Sequence, residues 1–207
     1  MPSGTELVFD GRTSPSAAVN LFTVGIDGIG LRPLTEDGGS QPAPCSTGAI
    51  AFVKHGDVYL LARDRRSQRR LTFRAGNDPD CSPDGHTIAF VRRGAVYTIG
   101  TDGRHLRRVA SSQTPPSNRD NLCDGGGLSR GSADAVVFAP DGRRIAFLAH
   151  YSGSDTDCYF LEVADLRGHR AAPPTVVASD NGINDFGEDY AGAAGLSWQP
   201  LLGAHAR

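Results

Sequence analysis

The sequence predicts an all-β fold of four four-stranded antiparallel units, and three observations carry that expectation. There are 26 glycines and 13 prolines in 207 residues, close to a fifth of the chain, against an average of about 12%. Aspartate outnumbers glutamate 19 to 4, and aspartate belongs to turns where glutamate belongs to helices. The third observation is a four-fold internal repeat of strand-length phrases rich in β-branched and aromatic residues.

The first phrase of the repeat reads Leu7-Val8-Phe9, Ile50-Ala51-Phe52, Ile88-Ala89-Phe90 and Ile145-Ala146-Phe147. A second phrase with a central aromatic follows each: Leu21-Phe22-Thr23-Val24, Val58-Tyr59-Leu60-Leu61, Val96-Tyr97-Thr98-Ile99 and Cys158-Tyr159-Phe160-Leu161. A third closes each unit, at Leu31 to Thr35, Gln68 to Thr72, Leu106 to Ala110 and Pro174 to Ala178. A fourth precedes the first, at Ala43 to Ser46, Asp80 to Pro83, Val137 to Pro140 and Leu196 to Pro200. Asp-Gly pairs at Asp84-Gly85 and Asp141-Gly142 join the fourth phrase to the first as tight turns, and Asp27-Gly28 and Asp102-Gly103 precede the third. Each unit is therefore an antiparallel meander of strands a to d. No stretch holds a helical period.

The phenylalanines of the first phrase are 43, 38 and 57 residues apart, the size of a β-propeller blade. The chain opens on a strand b and ends on a strand a, so residues 194–201 are expected to pair into the first blade and close the ring. The blades then run over 194–201 plus 5–36, 41–74, 78–112 and 134–179, with a long loop at 113–133, all in one domain.

The run Ser82-Pro83-Asp84-Gly85, Ile88-Ala89-Phe90, Tyr97, Asp102-Gly103 and Leu106 to Val109 closely resembles the WD-like repeat of TolB and related β-propeller proteins. The resemblance covers nearly the whole chain blade by blade, and it implies a binding protein rather than an enzyme. It departs in two respects. TolB-type rings have six blades and an extra N-terminal domain, and blade 2 here reads Ser46-Thr47-Gly48 in place of the Pro-Asp-Gly turn.

Charge excludes some partners. The net charge is −2, which exerts no global pull on nucleic acid or anionic membrane. No run of 18 apolar residues is present, so no helix inserts into a membrane. The basic run Arg63 to Arg70 falls on the c–d turn and outer strand of blade 2, where charge blocks edge-to-edge pairing. It lacks interleaved aromatics for stacking bases. The first 25 residues hold no basic region followed by an apolar stretch, so no leader is expected there. The location is then cytoplasmic, or periplasmic if a leader has been removed.

In a propeller the b–c and d–a loops open on one face. The long ones here are 10–19, 150–157, 111–134 and 179–195, and long loops in compact domains are commonly functional. The expected binding residues on that face are Asp78, Asp80, Asp124, Asp155, Asp157, Asp185, Glu188, Asp189 and Tyr190. The expected partner is a protein or peptide. Asp78, Asp80, Asp185 and Asp189 are the candidates for a metal, with Ca²⁺ the cation such hard oxygen ligands would take. The alternative reading is a metal-dependent hydrolase or lyase with carboxylates at the propeller mouth. The match Gly127-Leu128-Ser129-Arg130-Gly131 lacks the strand–turn–helix setting that activates a nucleophilic serine, and no catalytic residue is assigned. Cys45 and Cys81 are read as small buried hydrophobes in one column of the innermost strands, equivalent to Phe138 and Trp198. Cys123 and Cys158 are the candidate disulfide.

Overall fold

The computed structural model describes residues 4–111, 131–152, 157–166 and 175–179. Among them the chain forms strands and turns and no helix. The first sheet holds β1 (Glu6–Gly11), β2 (Asn20–Gly25) and β3 (Arg32–Pro33). The second holds β4 (Ser40–Pro44), β5 (Ile50–Lys54), β6 (Asp57–Leu61) and β7 (Gln68–Arg70). The third holds β8 (Asn77–Cys81), β9 (Thr87–Arg92), β10 (Ala95–Gly100) and β11 (Arg107–Ser111). The fourth holds β12 (Ser132–Phe138), β13 (Arg144–Ser152), β14 (Asp157–Asp165) and β15 (Thr175–Ser179). Every sheet is an antiparallel meander in chain order. The first has three strands among the described residues, and its expected innermost strand, 194–201, lies outside them.

The Ile-Ala-Phe phrase explains how the sheets stack. Alternate strand residues point to opposite faces, so Ile and Phe share one face and Ala takes the other. Ile50 and Phe52 pack with Leu21 of the first sheet. Ile88 and Phe90 pack with Ala51 and Val58 of the second, and Ile145 and Phe147 with Ala89 and Val91 of the third. The bulky pair thus faces back to the preceding blade, and the small alanine lets the following blade approach. Leu7 and Phe9 hold the same two positions in β1, opposite Val24 and Phe22. They are 57% and 40% exposed, because no blade precedes them among the described residues.

Polar staples tie strand c to the connection after strand d in the first two blades. In the first blade Asn20 Oδ1 accepts the Thr35 hydroxyl at 3.2 Å and the Gly38 N–H at 2.9 Å. In the second Asp57 Oδ1 accepts the Thr72 hydroxyl at 3.0 Å and the Ala75 N–H at 3.1 Å. Blade 3 has Ala95 and Ala110 at these positions, with no such staple. It is there that the short connection gives way to the long 112–131 segment.

Two expectations of register are corrected. Cys81 lies opposite Ile88, but it is Pro44 that lies opposite Ile50. Cys45 is therefore one position beyond the column of Cys81 and Phe138, because the blade 2 turn without Pro-Asp-Gly is one residue shorter. The two cysteines are not separate buried thiols either: they form a disulfide between adjacent blades, with Cα atoms 5.3 Å apart. In blade 4 the residue opposite Phe147 is Glu162, and Tyr159 lies opposite His150. Blades 2 and 3 place Tyr59 and Tyr97 opposite Phe52 and Phe90; in blade 4 the aromatic is displaced by three residues because β13 and β14 extend to nine residues each.

Candidate functional site

In a meander, strands b end and c begin at one edge of each sheet, where strands d also end and a begin. Long connections leave from that edge between Gly11 and Asn20 and between Ser111 and Ser132; the expected long loop 150–157 is corrected to a four-residue connection, because β13 runs to Ser152 and β14 starts at Asp157. The b–c turns of blades 2 and 3 are by contrast two-residue hairpins, His55-Gly56 and Arg93-Gly94, with all four φ angles positive as a type I′ turn requires.

A line of polar groups crosses the inner strands at this edge. The Gln41 N–H donates to Asp10 Oδ1 at 3.3 Å, and the Asp78 N–H donates to Gln41 Oε1 at 2.9 Å. Asp134 is the charged neighbour of Asp78 on the next blade. Asp134 lies 3.9 Å from His150 Nδ1, whose ring stacks on Tyr159 at 4.7 Å. Gln41 and Asp78 are equivalent: each has a positive φ (52° and 48°) and sits in a β-bulge. Each also precedes a proline, Pro42 or Pro79, which cannot donate to the ladder and favours a bulge. The bulge turns each residue off the ladder and toward the neighbouring blade.

Burial pushes the Asp78 carboxyl up to about 6, with the like charge of Asp134 adding to the shift. Asp134 is itself raised by burial, against the pull of His150. Burial also raises Asp80, opposed by the N–H groups of Phe138 and Cys81. Asp80 Oδ2 accepts the Phe138 N–H at 2.7 Å, so this carboxylate ties strand a of blade 3 to strand a of blade 4. Among the described residues no three His, Cys, Asp or Glu side chains gather as a metal site.

Of the expected binding residues, Asp78 and Asp80 both lie in β8, two positions apart across its bulge. Asp157 pairs with Ser152 through the backbone of β14. Asp124, Asp155, Asp185, Glu188, Asp189 and Tyr190 lie outside the described residues, as do Trp198, Ser129 and Cys123. Cys158, the other half of the expected second disulfide, pairs with Tyr151 by its backbone. Sequence reasoning left out Gln41 and Asp134. The recurrence of a polar residue before proline, Gln41-Pro42 and Asp78-Pro79, was the signal for the first.

The opposite edge holds the tight Asp-Gly turns and also the longer connection between Asp165 and Thr175. Between blades 3 and 4 it opens a cleft of about 740 Å³, with Thr98, Phe138 and Leu166 in its lining and Asp84, Asp102 and Asp141 among its turns. In the basic run, Arg69 donates to the carbonyls of Thr101 and Asp102 on the next blade, and Arg70 pairs with Asp57. Blade 4 also buries a carboxylate: Glu162 is 2% exposed, and its Oε1 accepts the Tyr151 hydroxyl at 2.9 Å. Its carboxyl is raised by burial.

The sequence matches no known family profile, and no curated protein matches it. Solved structures do. A TolB from Agrobacterium tumefaciens superposes with a TM-score of 0.65 at 16% identity, over 87% of this chain and 64% of that one. A nidogen/laminin complex gives 0.56 at 10% identity, over 85% of this chain and 62% of that one. Dipeptidyl peptidase 4 from Porphyromonas gingivalis gives 0.53 at 10% identity, over 86% of this chain and 32% of that one. The chain spans less than two thirds of each. It has a TolB-like β-propeller fold.

Proposed function

We propose that the chain is a non-catalytic platform that binds a protein or peptide partner, on the propeller face that carries the long b–c and d–a loops. The observation that supports this most is that the connection from Ser111 to Ser132 and that from Gly11 to Asn20 leave from one edge, beside a line of inter-blade hydrogen bonds. A rigid hub with variable loops suits recognition, because binding then orders little of the scaffold. Two of the similar folds, TolB and the nidogen/laminin complex, are not described as enzymes, and the second is an assembly between proteins. The Asp80 carboxylate is already committed to the Phe138 N–H, which argues against the metal-dependent hydrolase or lyase reading.

The same proposal makes residues 194–201 the innermost strand of blade 1, closing a four-bladed ring beside the free edge of β1. The exposed Leu7 and Phe9 support it, since they occupy positions that another blade covers in blades 2 to 4.

The test is quantitative capture of partners from the source organism's extract on wild-type protein and on a variant with 112–130 replaced by a short Gly-Ser linker. A saturable partner recovered by the wild type and lost by the variant, at unchanged melting temperature, is the expected result. Equal recovery on both would move the site elsewhere.

A further inference from the structure

At the cleft on the short-turn edge one repeat position differs in chemistry between blades 2 and 3. Leu60 and Thr98 are equivalent: each follows the central tyrosine of strand c, and they lie opposite Ala51 and Ala89 respectively. Leu60 packs into the core between blades 2 and 3. Thr98 shares a strand face with Val96, which belongs to the core between blades 3 and 4, so its side chain is aimed at that same junction. There the shorter polar side chain leaves space where blade 2 has filler.

The rest of the junction is conserved in form. Arg69 and Arg107 are equivalent, lying opposite Leu60 and Thr98. Arg69 donates to the Thr101 carbonyl, and Arg107 donates to the Leu166 carbonyl at 3.3 Å. The second and third blades also touch closely at this edge, since a Cβ on Gly85 would lie 2.7 Å from Ser46 Oγ. At the third junction the corresponding Gly142 has only Pro83 near it, at 3.6 Å. The gap is therefore specific to blades 3 and 4.

We propose that this cleft binds the cationic side chain of an arginine- or lysine-bearing peptide. Three features of its lining match that ligand. Thr98 is 6% exposed and lines the cleft, and its hydroxyl makes no hydrogen bond to any described residue, so it offers a free acceptor at the wall. Phe138 and Leu166 supply an apolar surface for the alkyl stem of a long cationic side chain. Asp84, Asp102 and Asp141 each use Oδ1 to cap their own turn, at 3.0, 2.9 and 2.9 Å, which leaves Asp84 and Asp102 a second carboxylate oxygen, while Asp141 Oδ2 lies 3.8 Å from Arg144. The lining holds three carboxylates, the Arg107 guanidinium and the imidazoles of His86 and His105, so with those imidazoles uncharged its balance is acidic and favours a cation. The site lies on the edge opposite the long loops and stands or falls separately from the reading above.

The test titrates ¹⁵N-labelled protein with acetyl-Gly-Arg-Gly-amide, and with acetyl-Gly-Gln-Gly-amide as the neutral control. The arginine peptide is expected to shift the amides of Thr98, Thr101 and Gly103, with millimolar affinity or better, and to bind at least about tenfold more tightly than the control. Thr98→Leu, which installs the residue blade 2 already carries, should fill the cleft and weaken binding about tenfold without lowering the melting temperature. Asp141→Asn, on the exposed turn, should weaken it at low salt and much less at high salt. Shifts confined to other residues, equal binding of the two peptides, or undiminished binding by Thr98→Leu would each overturn the proposal. So would the absence of any shift at saturating peptide.

Discussion

Asn20 and Asp57 stand at the same place in successive blades, the first residue of strand c, and each holds a threonine hydroxyl and a turn amide with one oxygen. The neutral and the charged version do the same geometric work. Asp57 does more, since its second oxygen meets Arg70.

Asp57 is therefore the most costly polar residue of blade 2 to remove. It is 5% exposed, and truncation strands the Thr72 hydroxyl and the Ala75 amide in a buried place. Asp57→Ala is expected to lower stability by about 2–4 kcal/mol, while Asp57→Asn, the residue blade 1 uses, retains most of it. Urea denaturation of the two variants beside the wild type decides this. Equal losses would show that the charge pair with Arg70, rather than the staple, is what matters.

The Asp78 carboxyl makes stability depend on pH with a definite sign. Its folded value of about 6 exceeds its unfolded value of 3.8, so the native state binds the proton more tightly. Its contribution is then greatest below the unfolded value and is lost as pH rises through the folded one. Asp37, Asp64 and Asp84 are held low by their hydrogen-bond partners, first Lys54, the Arg66 N–H and the Ser82 hydroxyl respectively. Their contributions run the other way, being lost as pH falls below the ordinary carboxylate range. Asp78→Asn, which suits a positive φ, should flatten the decline between about pH 4 and 6 and raise stability at neutral pH. A denaturation midpoint series in which wild type and variant run parallel would contradict it.

The Cys45–Cys81 bridge joins blades 2 and 3 across 36 residues of chain. Closing a loop of that length stabilises by about 4 kcal/mol through the unfolded chain. Reduction with dithiothreitol, or the Cys45→Ser/Cys81→Ser pair, should lower the melting temperature by several degrees and leave the β-sheet circular dichroism intact. No shift on reduction would mean that the bridge is not formed in solution.

Ring closure by 194–201 is tested with the chain's single tryptophan, Trp198. Seated in the hub, it emits at short wavelength and resists iodide quenching. Leu7→Ala should then cost about 2–4 kcal/mol, as large-to-small changes in a packed core do. Long-wavelength, freely quenched emission together with a near-neutral Leu7→Ala would rule the closure out.

Much of this architecture was legible beforehand because it is local. The alternation in Ile50-Ala51-Phe52 and its repeats specifies strands with one bulky and one small face, and Asp84-Gly85 or Asp102-Gly103 specifies where they reverse. Neither statement requires knowing what lies next to the strand. Asp78 and Asp80 were expected as binding residues on the long-loop face, whereas both lie in β8, strand a of blade 3.

Tertiary structure decided the rest, because it concerns distances between blades. The one-residue shorter turn in blade 2 put Cys45 out of the column of Cys81 and yet within bonding reach of it. The lengthened β13–β14 hairpin put Glu162, not an aromatic, beside Phe147. Whether Asp80 faced solvent or the Phe138 amide depended on how closely two sheets stack, and so did the space that Thr98 leaves where Leu60 would fill it. Period and turn chemistry act over a few residues, whereas the fit of one sheet against another is settled only when the whole wheel is packed.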